Sequence, residues 1–202
     1  GLFTNCFLQL WVICYFNHNK LYINIFLEVN MAIDLDRKRP SWDERFMFEA
    51  LWAATRSSCL QLQTGAVIVK DKRAIASGYN GAAPGIKSSL ELGSCRKEEH
   101  GIDFDDKGKS VCRGTHAEIN AMSQIARQDL LGTSLYTLIF PCSSCAKAIV
   151  GNGISEVFYS RHYGEPDSLT NEQFEEAKID VRKLEIDIDR SFEMIRRIYH
   201  PK

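Results

Sequence analysis

The sequence carries almost no net charge, because its 25 lysines and arginines are balanced by 26 aspartates and glutamates. Residues of both signs are interspersed along the chain, without the basic stripe that a nucleic-acid binder uses to neutralise phosphates. This balance weighs against a nucleic-acid substrate. We therefore expect a small-molecule partner and no nucleic acid.

The sequence also lacks a long hydrophobic run, and its number of cysteines is odd. The uninterrupted apolar run at residues 10–16 is too short for a transmembrane helix, and no basic region precedes it. We therefore expect neither a membrane partner nor a secretory signal. The seven cysteines are an odd number, which suits metal-binding thiolates in a reducing cytosol better than a disulfide framework. Together these features predict a cytoplasmic protein.

The first thirty residues differ in composition from the rest. Residues 1–30 are rich in aromatic and aliphatic side chains, and their only charged side chains are Lys20 and Glu28. We expect them to be an N-terminal extension outside the fold, of the kind that translation upstream of a natural start would add. The alternative is a membrane or partner anchor. Residues 31–202, which open with Met31, are enough for one domain with its own core.

Helices and strands are predicted to alternate along this domain. A capping box at Ser41 and Glu44 predicts a helix to about residue 57, with Met47, Ala50, Leu51 and Ala54 as its apolar face. Strands are expected at 66–69, 74–78, 134–140, 156–159 and 179–186, and further helices around Glu118, after Cys142, and at 171–177 and 191–199. Such alternation predicts a layered α/β fold. The intervening loop, 80–114, is long enough to be functional or disordered.

Two motifs carry the chemistry of this sequence. Thr115-His116-Ala117-Glu118 reads H-x-E, and Pro141-Cys142-Ser143-Ser144-Cys145 reads P-C-x-x-C, which together are the pattern of zinc deaminases that act on nucleobases. Two cysteines three residues apart lie on one side of a helical turn, and His116 can supply a third ligand. Three protein ligands leave one tetrahedral position open, which is typical of a catalytic zinc.

Glu118 is the predicted proton-transfer group. Zinc lowers the pKa of a bound water, and the resulting hydroxide can attack a ring carbon that bears an amine. Protons must then reach a ring nitrogen and the departing amine, and Glu118 is not needed as a ligand. It shares a helical face with Ala121, Met122 and Ile125, where a carboxylate is costly to bury without a task. Alone, CxxC also suits a structural zinc or a redox pair, but the combination favours catalysis.

Six segments between Arg39 and Tyr163 resemble the deoxycytidylate (dCMP) deaminases of the cytidine deaminase superfamily. They are RPSWDERFM near residue 40, TGAVIVKDKR from Thr64, SGYNG from Ser77, CRGTHAEINA from Cys112, FPCSSCAKAI from Phe140 and GISEVFY from Gly153. The resemblance implies zinc-dependent hydrolysis of dCMP to dUMP and ammonia, which supplies dUMP for dTMP synthesis. It also implies a three-layer α/β/α fold with a mixed, mostly five-stranded sheet and with zinc between two helix N-termini.

The resemblance also implies a set of substrate-binding residues. Asn80 would hold the sugar or base, although Asn-Gly is also a turn signal. The backbone N–H of Ala117 would bind the pyrimidine carbonyl, because it opens a helix beside the metal. Asn120 would lie near the substrate or simply on the helix surface. Tyr163 would cover the base or contribute to packing.

A second zinc and a regulatory site follow from the same resemblance. A structural zinc would be held by Cys59, Cys95, His100 and Cys112, although free cysteines are often buried as small hydrophobes. Many members of the family are hexamers that dCTP activates and dTTP inhibits with magnesium, and the resemblance implies the same here. The corresponding nucleotide loop would contain Gly78, Tyr79, Gly81 and Gly85, where glycine permits close approach of a phosphate or simply makes a turn.

Two other functions compete with dCMP deamination. The first is deamination of another free base, nucleoside or nucleotide by the same machinery. The second is a catalytically silent zinc-binding or DNA-uptake-associated protein. The presence of Glu118 argues against the silent alternative, because a structural zinc does not need it.

Overall fold

The computed structural model describes residues 39–103, 111–165 and 167–200, together with the backbone of two strands at the N-terminus. The chain divides into two compact units, one of residues 1–39 with 194–202 and one of residues 40–193. In the first unit, β1 (Gln9–Asn17) and β2 (Lys20–Glu28) pair antiparallel over their whole lengths. The prediction that residues 1–30 lie outside the enzyme fold stays a prediction.

Helices and strands alternate from residue 42 onward, as predicted. Their order is α1 (Trp42–Ala54), β3 (Gly65–Lys70), β4 (Arg73–Tyr79), β5 (Gly81–Ala82), α2 (Ser89–Leu92), α3 (Arg96–Glu99), β6 (Gly114–Thr115), α4 (Ala117–Met122), α5 (Arg127–Leu130), β7 (Ser134–Ile139), α6 (Ser143–Gly151), β8 (Glu156–Arg161), α7 (Ser168–Glu176), β9 (Asp180–Lys183) and α8 (Ile188–Tyr199). Among the described residues, no helix is both long and apolar enough to cross a membrane.

Five strands form one mixed sheet in the order β4-β3-β7-β8-β9. Strand β3 pairs antiparallel with β4 and β7, whereas β7, β8 and β9 run parallel. The predicted five-stranded mixed sheet is therefore confirmed. The last strand is shorter than the predicted 179–186, because only Asp180–Lys183 pairs with β8.

The capping box at the start of α1 is present as predicted. The Ser41 hydroxyl accepts from the Glu44 N–H at 3.1 Å, and the Glu44 carboxylate accepts from the Ser41 N–H at 2.6 Å. The helix ends at Ala54, three residues before the predicted end. The next turn instead makes i→i−3 bonds, including Ser57 N–H to Ala54 C=O at 3.0 Å, which tighten the chain out of the α-helix.

A hydrophobic core covers each face of the sheet. Val67 and Val69 of β3 pack with α1, whose predicted apolar face is confirmed, while Ala66 and Ile68 point the other way. That second core contains residues from α4, α6 and α7: Ala117, Ala121, Cys145, Ile149 and Phe174. The predicted three-layer α/β/α arrangement is therefore confirmed.

Two glycines let helix backbones rest directly on strands. A Cβ on Gly65 would lie 2.1 Å from the Ala50 carbonyl oxygen of α1. A Cβ on Gly78 would lie 2.4 Å from both the Ala117 oxygen and the Ala121 nitrogen of α4. Side chains at these positions would push the helices off the sheet, so Gly78 sets the height of α4 above β4.

The predicted 80–114 loop contains short elements of its own. Strands β5 and β6 pair Gly81 with Thr115, and helix α2 begins with a second capping box at Ser88 and Glu91. That box reads S-x-x-E in the sequence, so α2 had a signal that the loop prediction overlooked. Residues 104–110 of this loop lie outside the described residues.

We predict that Gly78→Ala destabilises the protein. Its new methyl group would overlap backbone atoms of α4, and overpacking of this kind costs about 1–3 kcal/mol. The free energy of unfolding in urea measures the effect. Gly151→Ala is the matched control, because a Cβ at Gly151 in α6 meets nothing within 4 Å. Equal unfolding free energies for the two variants would contradict the close contact between α4 and β4.

Candidate metal centre

The three predicted zinc ligands converge on one point. The His116 Nδ1 atom lies 3.2 Å from the Cys145 Sγ atom and 3.5 Å from the Cys142 Sγ atom. Ligand atoms of all three residues lie within 4.8 Å of one another, and no other group of three or more His, Cys, Asp or Glu does so among the described residues.

Each ligand stands at or near the start of a helix. His116 is the N-cap of α4, and Cys142 is the N-cap of α6 with Cys145 in its first turn. Strand β7 ends before Pro141, whose carbonyl accepts from the Thr170 hydroxyl at 3.2 Å. These elements bring the two helix N-termini together on one side of the sheet, as predicted.

The separations between the ligand atoms fit a single zinc ion. Zinc bonds of about 2.0–2.1 Å to nitrogen and 2.3 Å to sulfur, at tetrahedral angles, imply an N···S distance of about 3.6 Å. The two observed N···S distances are 3.2 and 3.5 Å. One imidazole and two thiols are also a donor set that catalytic zinc uses in proteins. The residues present therefore fit the metal.

The two thiols hold their protons very differently. The pKa of Cys142 is lowered to about 3, first by its hydrogen bond with Cys145 and then by the one with His116. The same hydrogen bond with Cys142, together with burial, raises the pKa of Cys145. The two pKa values are thus shifted in opposite directions, and Cys142 is the thiol that favours its ionised form. The hydrogen bond between Cys142 and His116 raises the pKa of the His116 imidazole. Metals bind the thiolate form of cysteine, so the cluster already favours one ionised ligand.

Glu118 lies beside the ligands in a buried position. Its side chain is 5% exposed, and its Oε2 atom lies 3.7 Å from the Cys145 Sγ atom. Burial raises the pKa of its carboxyl group above the ordinary value. A carboxyl group with a raised pKa is a stronger base than an exposed one and is suited to taking up a proton beside the ligands.

Comparison with known proteins decides the family. A family model described as the cytidine and deoxycytidylate deaminase zinc-binding region matches residues 40–161, which include all three ligands and Glu118. The chain belongs to this family. The resemblance inferred from the six sequence motifs is therefore confirmed.

Several relatives are similar over most of their length. The chain is 38% identical to the deoxycytidylate deaminase of Mycobacterium phage D29 over 127 residues, which are 61% of this chain and 97% of that protein. It is 38% identical to the human deoxycytidylate deaminase over 147 residues, 71% of this chain and 79% of that one. It is also 34% identical to ComE operon protein 2 of Bacillus subtilis over 152 residues, 74% of this chain and 75% of that protein.

A solved structure supports the fold. The dCMP deaminase of cyanophage S-TIM5, in complex with dCMP and dUMP, superposes with a TM-score of 0.57 at 24% identity. The superposition covers 73% of this chain and all of that one. The predicted cytidine deaminase-like fold is therefore confirmed.

The predicted substrate-binding asparagines of this family member both bond to the protein itself. The Asn80 Oδ1 atom accepts from the Ser57 hydroxyl at 2.6 Å and from the Thr64 N–H at 3.0 Å, and its amide nitrogen donates to the Leu62 carbonyl at 2.7 Å. The Asn120 amide donates to the Tyr79 carbonyl at 2.7 Å. Both side chains thus stabilise the protein, and their roles in substrate binding stay predictions.

Ala117 and Tyr163 lie on opposite faces of the sheet. Ala117 is fully buried at the first position of α4, where a backbone N–H has no acceptor within its helix. This placement suits the predicted contact with a pyrimidine carbonyl. Tyr163 is half-buried and packs against the core that contains α1. Both roles stay predictions.

The four candidate ligands of a second zinc are not brought together as a metal site. Ligand atoms from three of Cys59, Cys95, His100 and Cys112 do not meet within 4.8 Å in the described structure. Cys95 and His100 flank α3, and the Gln61 amide, two residues after Cys59, reaches the Glu98 carboxylate on α3 at 3.4 Å. The loop after α1 therefore lies beside α3, but the second zinc stays a prediction.

The candidate regulatory loop has structural reasons for its glycines. Gly78 contacts α4, a Cβ on Gly81 would lie 2.8 Å from the Ser58 hydroxyl oxygen, and Gly85 has a φ of +84°. A left-handed φ favours glycine over any residue with a Cβ. Tyr79, the fourth candidate, is 36% exposed. The predicted nucleotide site stays a prediction.

Two contacts that position the ligands had no signal in the sequence. The Phe140 N–H donates to the Arg161 carbonyl at 2.9 Å, and the Thr170 hydroxyl donates to the Pro141 carbonyl at 3.2 Å. Both hold the segment that leads into Cys142. Because they join residues more than 20 positions apart, only the fold reveals them.

We predict that Cys145→Ser removes one tightly bound zinc per chain. A hydroxyl is a poor substitute for a thiolate in a site of this kind, so the ion loses one of its three protein ligands. Metal analysis after dialysis against a weak chelator measures the loss. Ser144→Ala is the matched control, because Ser144 lies between the two cysteines but is exposed and outside the cluster. Full retention of zinc by Cys145→Ser would show that the ion binds elsewhere.

Proposed function

We propose that this chain catalyses the zinc-dependent hydrolysis of dCMP to dUMP and ammonia, and so supplies dUMP for dTMP synthesis. The observation that carries the proposal is a buried Glu118 carboxyl group beside the His116–Cys142–Cys145 cluster. The relatives from phage D29 and human, which the chain matches over most of their length, are named deoxycytidylate deaminases. The catalytic group and the substrate class thus have separate support.

His116, Cys142 and Cys145 would hold the zinc, which lowers the pKa of water and so supplies a nucleophile at neutral pH. Glu118 takes up the proton that this water releases and delivers it to the pyrimidine ring nitrogen. It then carries the remaining hydroxyl proton to the exocyclic amine. A carbon–oxygen bond forms, the carbon–nitrogen bond breaks, and ammonia leaves. The raised pKa of Glu118 makes its carboxylate a stronger base and so favours uptake of the first proton.

The N-terminus of α4 also orients the pyrimidine ring. The Ala117 N–H is free of an intrahelical acceptor and follows His116 directly, so we assign it as the donor to the ring carbonyl. Asn80, Asn120 and Tyr163 would contact the remainder of the nucleotide. The regulatory nucleotide-binding loop would contain Gly78, Tyr79, Gly81 and Gly85.

We further propose a cytoplasmic homohexamer that dCTP activates and dTTP inhibits with magnesium. The five described cysteines form no disulfide, which suits a reducing compartment. Trp52 is 67% exposed and Leu60 is 44% exposed, and apolar side chains of this kind suit burial between subunits. Cys59, Cys95, His100 and Cys112 would hold a structural zinc near the place where the loop after α1 lies beside α3.

We predict that the zinc-loaded protein releases ammonia from dCMP faster than from deoxycytidine, dCTP or CMP. The comparison separates the phosphate and the 2′ position as determinants of the substrate. Measured kcat/KM values for the four compounds check the prediction. A preference for another of them would keep the zinc chemistry but change the substrate. Inactivity on all four, with zinc bound and with dCTP and magnesium also tried, would favour the catalytically silent alternative.

We predict that Glu118→Gln lowers kcat by a factor of about 10² to 10⁴ or more, the range that general acid–base groups contribute. Zinc content should not change, because the amide has the same shape and Glu118 is outside the ligand cluster. Glu175→Gln on α7, an exposed position, is the control for loss of a charge. Loss of metal together with activity would rule out the proton-transfer role of Glu118.

A further inference from the structure

Among the described residues, the buried hydroxyl group of Thr64 has no hydrogen-bond partner. The residue is 8% exposed, and its Oγ1 atom has no partner within the described protein. Its backbone is fully bonded, since the Thr64 N–H donates to the Asn80 side chain at 3.0 Å and its carbonyl accepts from the Asn80 N–H at 3.2 Å. Buried polar groups are rarely left unpaired, so this hydroxyl needs an explanation.

The strand pairing places Thr64 at the end of the sheet to which both ligand-bearing segments connect. It directly precedes β3, whose first residue, Gly65, pairs with Tyr79 at the end of β4. After Tyr79 and Asn80 the chain enters β5, where Gly81 pairs with Thr115, the residue before His116. On the other side of β3, Ala66 pairs with Thr137 of β7. Because β3 and β7 are antiparallel, Thr64 lies at the end where β7 leads toward Cys142.

Thr64 also lies on the same face of the sheet as the metal centre. A Cβ on Gly65 would meet the Ala50 backbone, so Gly65 faces α1. Residues alternate between faces along a strand, and Ala66 packs in the core that contains Ala117 and Cys145. Thr64, two residues before Ala66, therefore lies on the side of α4 and α6.

We propose that the Thr64 hydroxyl forms a hydrogen bond with the nucleoside part of the substrate. The inference rests on the proposed function, because it takes the substrate to be dCMP. A hydroxyl can both donate and accept, so it suits either the 3′-hydroxyl of the sugar or a polar edge of the base. The neighbouring Asn80 amide already bonds to Ser57, Leu62 and Thr64, which leaves Thr64 with the larger unused capacity.

The contact would also give the buried hydroxyl the partner that the protein does not supply. The Thr64 backbone is fixed on both sides by Asn80, so little freedom is lost when the side chain engages a ligand. Protein atoms cover Oγ1, so the nucleotide must displace part of this cover as it binds. Binding then supplies the missing partner, and a substrate analogue without the matching group leaves the hydroxyl unpaired.

The test is Thr64→Val, which keeps the shape of the side chain and removes only the hydroxyl. We expect kcat/KM for dCMP to fall roughly tenfold, the value of one hydrogen bond between protein and ligand. The melting temperature should stay equal or rise, because a buried unpaired hydroxyl is lost. Thr64→Ser should recover part of the kcat/KM. Thr137→Val is the matched control: its hydroxyl is equally buried and unpaired but lies inside β7, and its kcat/KM should not change.

Suppose that the wild-type protein deaminates dCMP. Equal kcat/KM values for Thr64→Val and Thr137→Val would then overturn this inference and leave the proposed function standing. Binding of dUMP, measured by calorimetry on the zinc-loaded proteins, gives a readout that does not need turnover. A wild-type protein that neither deaminates dCMP nor binds dUMP would overturn the proposed function and this inference together.

A second substrate locates the contact. With 2′,3′-dideoxycytidine monophosphate, the 3′-hydroxyl is absent. If Thr64→Val and the wild-type protein then have equal kcat/KM for this compound, the Thr64 hydroxyl forms its hydrogen bond with the 3′-hydroxyl of the sugar. If the tenfold difference persists, it bonds to the base. Both results support the hydrogen bond, and the dCMP comparison with Thr137→Val decides whether it exists.

Discussion

The contact between α4 and β4 at Gly78 is the constraint on which the rest of the metal centre depends. The backbone of α4 rests directly on the strand, with no space for even one methyl group. Because α4 has only six residues, this contact determines where its N-terminus lies. His116, the Ala117 N–H and Glu118 all project from that end. The three roles proposed for this end of α4 therefore depend on one short helix, and Gly78, which lets the helix contact the strand, has no polar side chain of its own.

The second half of the centre is built differently. Helix α6 starts where β7 stops at Pro141, so the cysteines take their position from the end of a central strand in the sheet. The hydrogen bond between the two thiols lowers the pKa of Cys142 and raises the pKa of Cys145, because it stabilises the thiolate form of Cys142 only. One half of the centre is thus fixed by close packing and the other by strand geometry and charge.

Much of this arrangement could be predicted from the sequence. The ligands and Glu118 follow from short motifs whose residue types have few other uses together, and the capping box at Ser41 determines the start of α1 by local bonds alone. Element ends were less predictable: α7 begins at Ser168, before the predicted residue 171, because Asp167 caps the Leu169 N–H. The hydrogen bonds of Asn80 and the unpaired hydroxyl of Thr64 depend on strand pairing, which single-residue patterns do not encode.

The side chains that fasten α4 have one more consequence. Asn120 and Gln124 donate to the outward carbonyls of Tyr79 and Ser77 on β4, an edge strand of the sheet. Those carbonyls are the groups that a strand from another molecule would need in order to extend the sheet. Helix α4 and the turn after it therefore occupy two carbonyls that an incoming strand would need. Displacement of α4 would end metal binding and expose this edge in the same event.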